Sequence, residues 1–477
     1  MNHTIERSDM TSDMRQKVDL LITAGCIVTV DAERRILFDG AIAVEGSNIV
    51  AVGPRAELVD IFAPVRHIDE PEGLVVPGFI DAHTHPIDSL IPGMCDDTPQ
   101  FVRLSQRVIP YEDQLDDEDA FLAAKASFIE MIRHGTTTFV DGAGPQPDAI
   151  ARAAIDTGIR GVITRKLTDV AGPFGGRVEA LEDAIAGAEE TVAKYRGGPD
   201  SLIRAAYNID MPIVASDALL SRVAEASAAR GVGVVSHLIG RQSLETTNNR
   251  NSDIHRLQKA NLLGPDLLLA HIGWIPNGDI ELLAATDTQV AHCPGSSFVG
   301  GNGWVSHGVI PDLVAAGANV ALGTDASIIS RSLDMVRTMY LAACAHKDAR
   351  QDPLIMNPFH VFEMATIGGA RAARWSDRIG SLEVGKAADL AIFDMSGPEW
   401  WPDPLGNAVP NLVYGGSGRD ARTVVINGIV AMEDRQFPQE DLQTLAKAVD
   451  DASRRALTRL GGRRVTWPPS PAPQPER

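Results

Sequence analysis

The chain has 477 residues, 44% of them hydrophobic and 22% charged, which is ordinary globular composition and enough apolar material for one large core and a smaller one. Its formal net charge of −20 sets aside nucleic acid and anionic membrane as partners, because both would repel it instead of releasing counterions. Cys26, Cys95, Cys293 and Cys344 are scattered without a paired spacing, so a disulfide framework or cysteine zinc site is not expected and a reducing compartment is.

The leader, residues 1–17, is polar and lacks the apolar core of a signal peptide. No apolar run approaches the roughly 20 residues that span a bilayer, so a cytoplasmic location is expected. VDLLITAGCIVTV, AIAVEG and NIVAVG then read as short antiparallel strands joined by tight turns. From about residue 77 the rhythm becomes helix, Gly or Asp, apolar strand and polar residue, repeated many times, which marks βα units and a parallel sheet. FLAAKASFIEMIRHG precedes TTTFVD, LLSRVAEASAARG precedes VGVVSH, IELLAATDT precedes QVAHCP, and IPDLVAAGA precedes NVALGTD. Each strand is an apolar run, as both-face burial demands, with polar residues at the C-terminal end where a barrel carries its active site.

After residue 378, IGSLEVGKAADLAIFD and RTVVINGIVAME return to short strands, so residues 18–76 and 379–435 are expected to build one small β-sandwich domain from both termini. The expected fold is therefore an α/β chain with a (β/α)8 TIM barrel over 77–378. A C-terminal helix over 436–466 and a Pro-rich tail over 467–477 complete it.

The strongest chemical signal is VVPGFIDAHTHP, an apolar strand ending in His83, Thr84 and His85. Alternate side chains of a strand share a face, so both imidazoles can reach one metal. Later strands end in His237, His271, His292 and Asp325. Unpaired buried polar groups are costly, and one shared ion would satisfy several of these at once.

PGFIDAHTHP, strand-end His237 and His271, HCP at His292, LGTD at Asp325 and GSLEVGKAADLAIFD together resemble the amidohydrolase superfamily, in particular its triazine hydrolase, S-adenosylhomocysteine deaminase and cytosine deaminase branch. The resemblance implies a metal held by His83, His85, His237 and Asp325. It implies that Asp325 also takes a proton from the attacking water and that His271 polarises the substrate atom gaining negative charge. One divalent ion per subunit is expected, Zn2+ first, with Fe2+, Co2+ or Mn2+ as alternatives. The stretch LIRAAYNIDMP offers no lysine for a second ion, and Lys166 is read as a rim lysine. His292 is a pocket residue or a structural hydrogen-bonding group. Phe174, Trp274, Phe298 and Trp304 are candidates for an aromatic pocket suited to a small neutral substrate, and Gly-rich SSFVGGNG for a mobile lid.

The sequence departs from the branch at one position. Its deaminases and triazine hydrolases carry a glutamate three residues after the fifth-strand histidine; here the run is His237, Leu238, Ile239, Gly240, with Glu245 further on. Deamination of an aromatic amidine needs a proton on a ring nitrogen, whereas attack on an amide, urea or carbamate carbonyl does not. The expectation is therefore hydrolysis of a non-peptide C–N bond of carbonyl type. The alternatives are a deaminase of an aminated purine, pyrimidine or triazine ring, C–S or C–Cl hydrolysis on such a ring, and an inactive metabolite-binding barrel. A small-molecule partner and a homo-oligomer are expected.

Overall fold

The computed structural model describes residues 15–198, 200–239, 253–402 and 406–461. Gly240 and Glu245, most of the polar leader and the Pro-rich tail lie outside them. No helix among the described residues is long and apolar enough to cross a membrane.

Eight parallel strands form the central sheet: β5 (Phe79–Thr84), β6 (Thr136–Asp141), β7 (Arg160–Leu167), β8 (Ile203–Ile209), β9 (Val234–Leu238), β10 (Leu267–His271), β11 (Gln289–His292) and β12 (Val320–Leu322). Each pairs with its neighbour in sequence, and the ends meet through a parallel bridge between Thr84 and Asp325. The result is a (β/α)8 barrel.

Period-2 alternation sorts the side chains. Ile80, Ala82, Val140, Val162, Ala206, Val235, Leu268, Ala270, Ala291 and Ala321 fill the barrel interior, where small residues suit the narrow space. Leu267, Leu269 and Val290 point the other way into the layer beneath the helices. The helices begin and end where the chain supplies caps. Ser216 accepts from the Leu219 amide at 3.0 Å to open Asp217–Arg230, and Gly231 closes it at φ +65. Asp116 accepts from the Asp119 amide at 2.8 Å at the start of Asp117–Arg133.

The remaining strands come from both ends of the chain. With β1 (Gln16–Val28), β2 (Ile36–Glu45), β3 (Asn48–Pro54), β4 (Phe62–Pro77), β13 (Leu390–Asp394), β14 (Ala421–Ile426) and β15 (Ile429–Met432), the second sheet runs β15-β14-β13-β4-β1-β2-β3. It wraps a core of its own that includes Ile22, Ile42, Val75, Ile392 and Val425. A helix over Leu442–Arg459 packs back on the barrel, Arg455 and Arg459 both donating to the buried Asp119.

A buried ion pair joins the two sheets. Arg160, 1% exposed, donates to Asp389 at 2.7 and 3.1 Å and to the Asn427 side chain at 3.1 Å. Removing one member strands the other charge, so Asp389→Ala should lower stability by about 3–5 kcal/mol in denaturant unfolding. A loss below about 1 kcal/mol, the scale of an exposed pair, would show that the junction does not depend on this contact.

Candidate active site

At the C-terminal mouth of the barrel the structure brings five of the expected residues together. His83, His237 and His271 form one group, and His83, His85 and Asp325 another, whose ligand atoms all lie within 4.8 Å of one another. The carboxylate of Asp325 stands 3.9 Å from His83 Nε2, 3.6 Å from His85 Nε2 and 3.8 Å from His271 Nε2.

The backbone bends to achieve this. Simple alternation from Ala82 and Ala270 would turn His83 and His271 away from the barrel interior. In β5 the pairing with β6 shifts register between Asp81 and Thr84, and His271 adopts φ +78. Asp325 sits at φ +63, anchored by its amide on the His83 carbonyl at 2.9 Å. Non-glycine residues in this region cost about 1–3 kcal/mol each and persist where surrounding structure over-determines them. Gly142 leaves room for the rings: a Cβ there would come within 2.8 Å of both His83 and His85.

Hydrogen bonds fix the orientations. His237 Nδ1 donates to the Asp210 carbonyl at 2.7 Å, so its Nε2 carries a lone pair, which faces His85 Nε2 at 3.2 Å. Asp81 accepts from the Thr324 amide at 2.9 Å and from the His83 amide at 3.3 Å, pinning β5 to the residue before Asp325. Its carboxyl is pushed up to about 7 by burial.

The electrostatics suit a cation. His83 is fully buried and both of its ring nitrogens lack a hydrogen-bond partner. Burial, with repulsion from neighbouring imidazoles, pushes His83 far down, His85 to about 3 and His271 to about 4. Burial opposes ionisation of Asp325, yet His271, His85 and hydrogen bonds from Ser296 and the Ala326 amide hold it below the usual carboxylate range. Neutral imidazoles with orphaned nitrogens around an ionised carboxylate are the donor set of a divalent transition ion.

A cavity of about 120 Å3 opens over this group. Phe174 and Trp304 line it, and Trp304 packs on His271 with ring centroids 4.6 Å apart. The other expected pocket residues do not. Trp274 stacks on His307 at 5.4 Å, and Phe298 lies in the helix Pro294–Gly300 and is 48% exposed. SSFVG is thus helical instead of a glycine-rich lid loop. His292 faces away because Ala291 takes the interior position, and it meets His346 at 2.9 Å.

Several cavity residues escaped the sequence reading. The segment after β5 is helical over Gln100–Glu112 with one π turn, and it carries Arg103 and Glu112 to the wall. Lys166 also lines the cavity and pairs with Glu112 at 2.8 Å. Asp88, 1% exposed, keeps one oxygen without a partner, and Asp210 completes the polar side. The wall carries more charge than a site for a neutral substrate would require.

An amidohydrolase family model matches residues 74–430, which takes in the whole barrel and every residue of this cluster. The chain belongs to the amidohydrolase family. It is similar, at 32% identity over 92% of this chain and 98% of the other, to a 5-methylthioadenosine/S-adenosylhomocysteine deaminase of Pelotomaculum thermopropionicum. Among solved structures it resembles an adenosine deaminase from Xanthomonas campestris with bound zinc, at TM-score 0.87 and 29% identity, covering 93% of this chain and 100% of that one. An atrazine chlorohydrolase from Arthrobacter aurescens complexed with zinc shares the fold at TM-score 0.81, 23% identity and coverage of 91% and 100%. This amidohydrolase is accordingly a metal-dependent enzyme hydrolysing C–N bonds other than peptide bonds. Deaminase relatives favour the ring-deaminating alternative over the carbonyl hydrolysis expected from Gly240.

If the cluster holds the ion, Gly142→Ala, which drives a methyl group against His83 and His85, should weaken metal binding about 10- to 100-fold. Metal analysis after dialysis against a graded chelator series reads this directly, and unchanged retention would place the ion elsewhere.

Proposed function

We propose that this amidohydrolase removes an amino group from a heteroaromatic ring of adenine-nucleoside type as ammonia. The observation that carries the reading is its near full-length similarity to a 5-methylthioadenosine/S-adenosylhomocysteine deaminase. The buried cluster at the barrel mouth supports it.

His83, His85, His237 and Asp325 would hold one divalent cation, with Zn2+ the simplest choice for three imidazoles and a carboxylate. When bound, such an ion supplies Lewis acidity and brings the pKa of a water towards ~7. The protein's residues do the rest. Asp325 accepts the proton of the attacking water and returns one to the departing ammonia. His271, held by its strained backbone and by Trp304, stabilises the charge that develops as the ring carbon becomes tetrahedral. Water adds to the ring carbon, the C–N bond breaks, and a ring carbonyl and ammonia remain.

The proton for the ring nitrogen is the step that Gly240 leaves without its usual donor. Asp88 and Glu112 present carboxyl groups on the cavity wall, grouped within 4.8 Å with His85, and are the candidates to supply that proton. The aromatic wall of Phe174 and Trp304 suits the ring itself.

A second reading rests on Gly240: hydrolysis of a urea or carbamate carbonyl, which needs no ring protonation. A product assay on metal-quantified enzyme separates the two, offering 5′-methylthioadenosine, an aminotriazine and a phenylurea while ammonia and aromatic amine are detected separately. Ammonia from the adenine ring is expected, and amine from the urea with none from either ring would favour the second reading. On any substrate that turns over, Asp325→Asn should lower kcat by about 100-fold or more.

A further inference from the structure

The cavity contains a cation for which the described residues supply no partner. Arg103 is 5% exposed, its Nη1 is fully buried without a hydrogen bond, and its guanidinium forms no ion pair among the described residues. The other deeply placed cations behave differently. Arg160 is matched by Asp389 and Asn427, and Lys166 by Glu112. A buried guanidinium is costly unless paired and hydrogen-bonded, and it stays charged at any physiological pH.

Arg103 is nonetheless one of the residues that line the cavity. Arg103 shares its wall with Ser296, Asn302 and Trp304, and Trp304 is the ring that packs on His271. Gly300 leaves room for both side chains: a Cβ there would come within 2.9 Å of Asn302 Nδ2 and 3.0 Å of Arg103 Nη1. The Asn302 amide, which donates to the Ser296 carbonyl at 3.3 Å, thus lies beside the guanidinium on the cavity wall. Burial also disfavours the charged form of Arg103, the Asp325 carboxylate opposes this, and Asp325 is already committed to the imidazole cluster.

We propose that Arg103 receives a planar oxyanion of the substrate, a carboxylate or an ionised ring oxygen, so that the enzyme selects anionic over neutral molecules of the same shape. A guanidinium fork matches such a group with two parallel N–H bonds, which a neutral amide cannot return with equal strength. The inference deepens the proposed function, because it rests on this cavity being the substrate site.

Its test is binding instead of turnover, so that a failure of the deaminase reading leaves it readable. Calorimetric titration of the metal-loaded, full-length enzyme would compare adenosine-5′-carboxylate with the 5′-carboxamide. It would also compare xanthine with hypoxanthine at mildly alkaline pH, where the former is largely ionised. In one of the pairs the anion should bind about tenfold tighter, with the responding pair identifying the source of the oxyanion, and Arg103→Gln should abolish most of that ratio. Arg103→Lys, which keeps the charge and loses the fork, should fall between them and carries the test if Arg103→Gln does not fold. Equal affinities within both pairs for the wild type, or a ratio unchanged by substitution, would overturn the proposal.

Discussion

Four imidazoles and a carboxylate share a buried pocket at the point where the barrel closes. The Thr84–Asp325 bridge that joins the eighth strand to the first lies inside this cluster, and the Asp325 amide is bonded to the His83 carbonyl. Closing the sheet therefore presses together ring nitrogens such as those of His83, which have no protein partner. Each unsatisfied buried group costs about 1–3 kcal/mol. A bound cation would turn that liability into a set of bonds, and closure of the barrel is what brings these side chains together.

The same constraint explains where the strain lies. A register shift at Asp81–Thr84 and left-handed backbone at His271 and Asp325 are needed only to turn side chains inward against the alternation of their strands. His292 shows the outcome without such a device. It succeeds Ala291 in a regular strand, faces outward and pairs with His346. Around the cluster, the helical segment after β5 brings Arg103 and Glu112, and the loops after β7 and β8 bring Phe174 and Asp210. The clustered imidazoles and carboxylate come from strand ends, while the rest of the cavity wall comes from the loops and short helices beyond those ends.

This division sets the limits of what the sequence discloses. The barrel is legible because apolar strands and capped helices recur with a regular rhythm, and the cluster is legible because His83, His85, His237, His271 and Asp325 each stand at a strand end. The terminal strands also declare themselves through β-rich runs and glycine turns, although their joining into one sheet depends on pairings such as Leu390 with Pro77, far apart in sequence. The pocket wall is harder. Arg103 and Glu112 lie in a run whose short, broken helices carry no sustained period, and Lys166 reads as a rim residue until Glu112 is placed beside it. Phe298 and Trp274 mislead because aromatic residues near a mouth can equally pack sideways, and nothing local says which. Gly240 is plain in the sequence, but its weight in choosing a reaction depends on which other carboxyl groups reach the cavity.

If the cluster exists to hold a single divalent ion, the most direct measurement is an anomalous difference map from crystals of the metal-reconstituted protein. One peak is expected, within bonding distance of nitrogens of His83, His85 and His237 and of the Asp325 carboxylate, with His271 turned towards the cavity. A peak at some other place, or none with the imidazoles hydrogen-bonded to ordered water, would contradict single-ion binding by these residues.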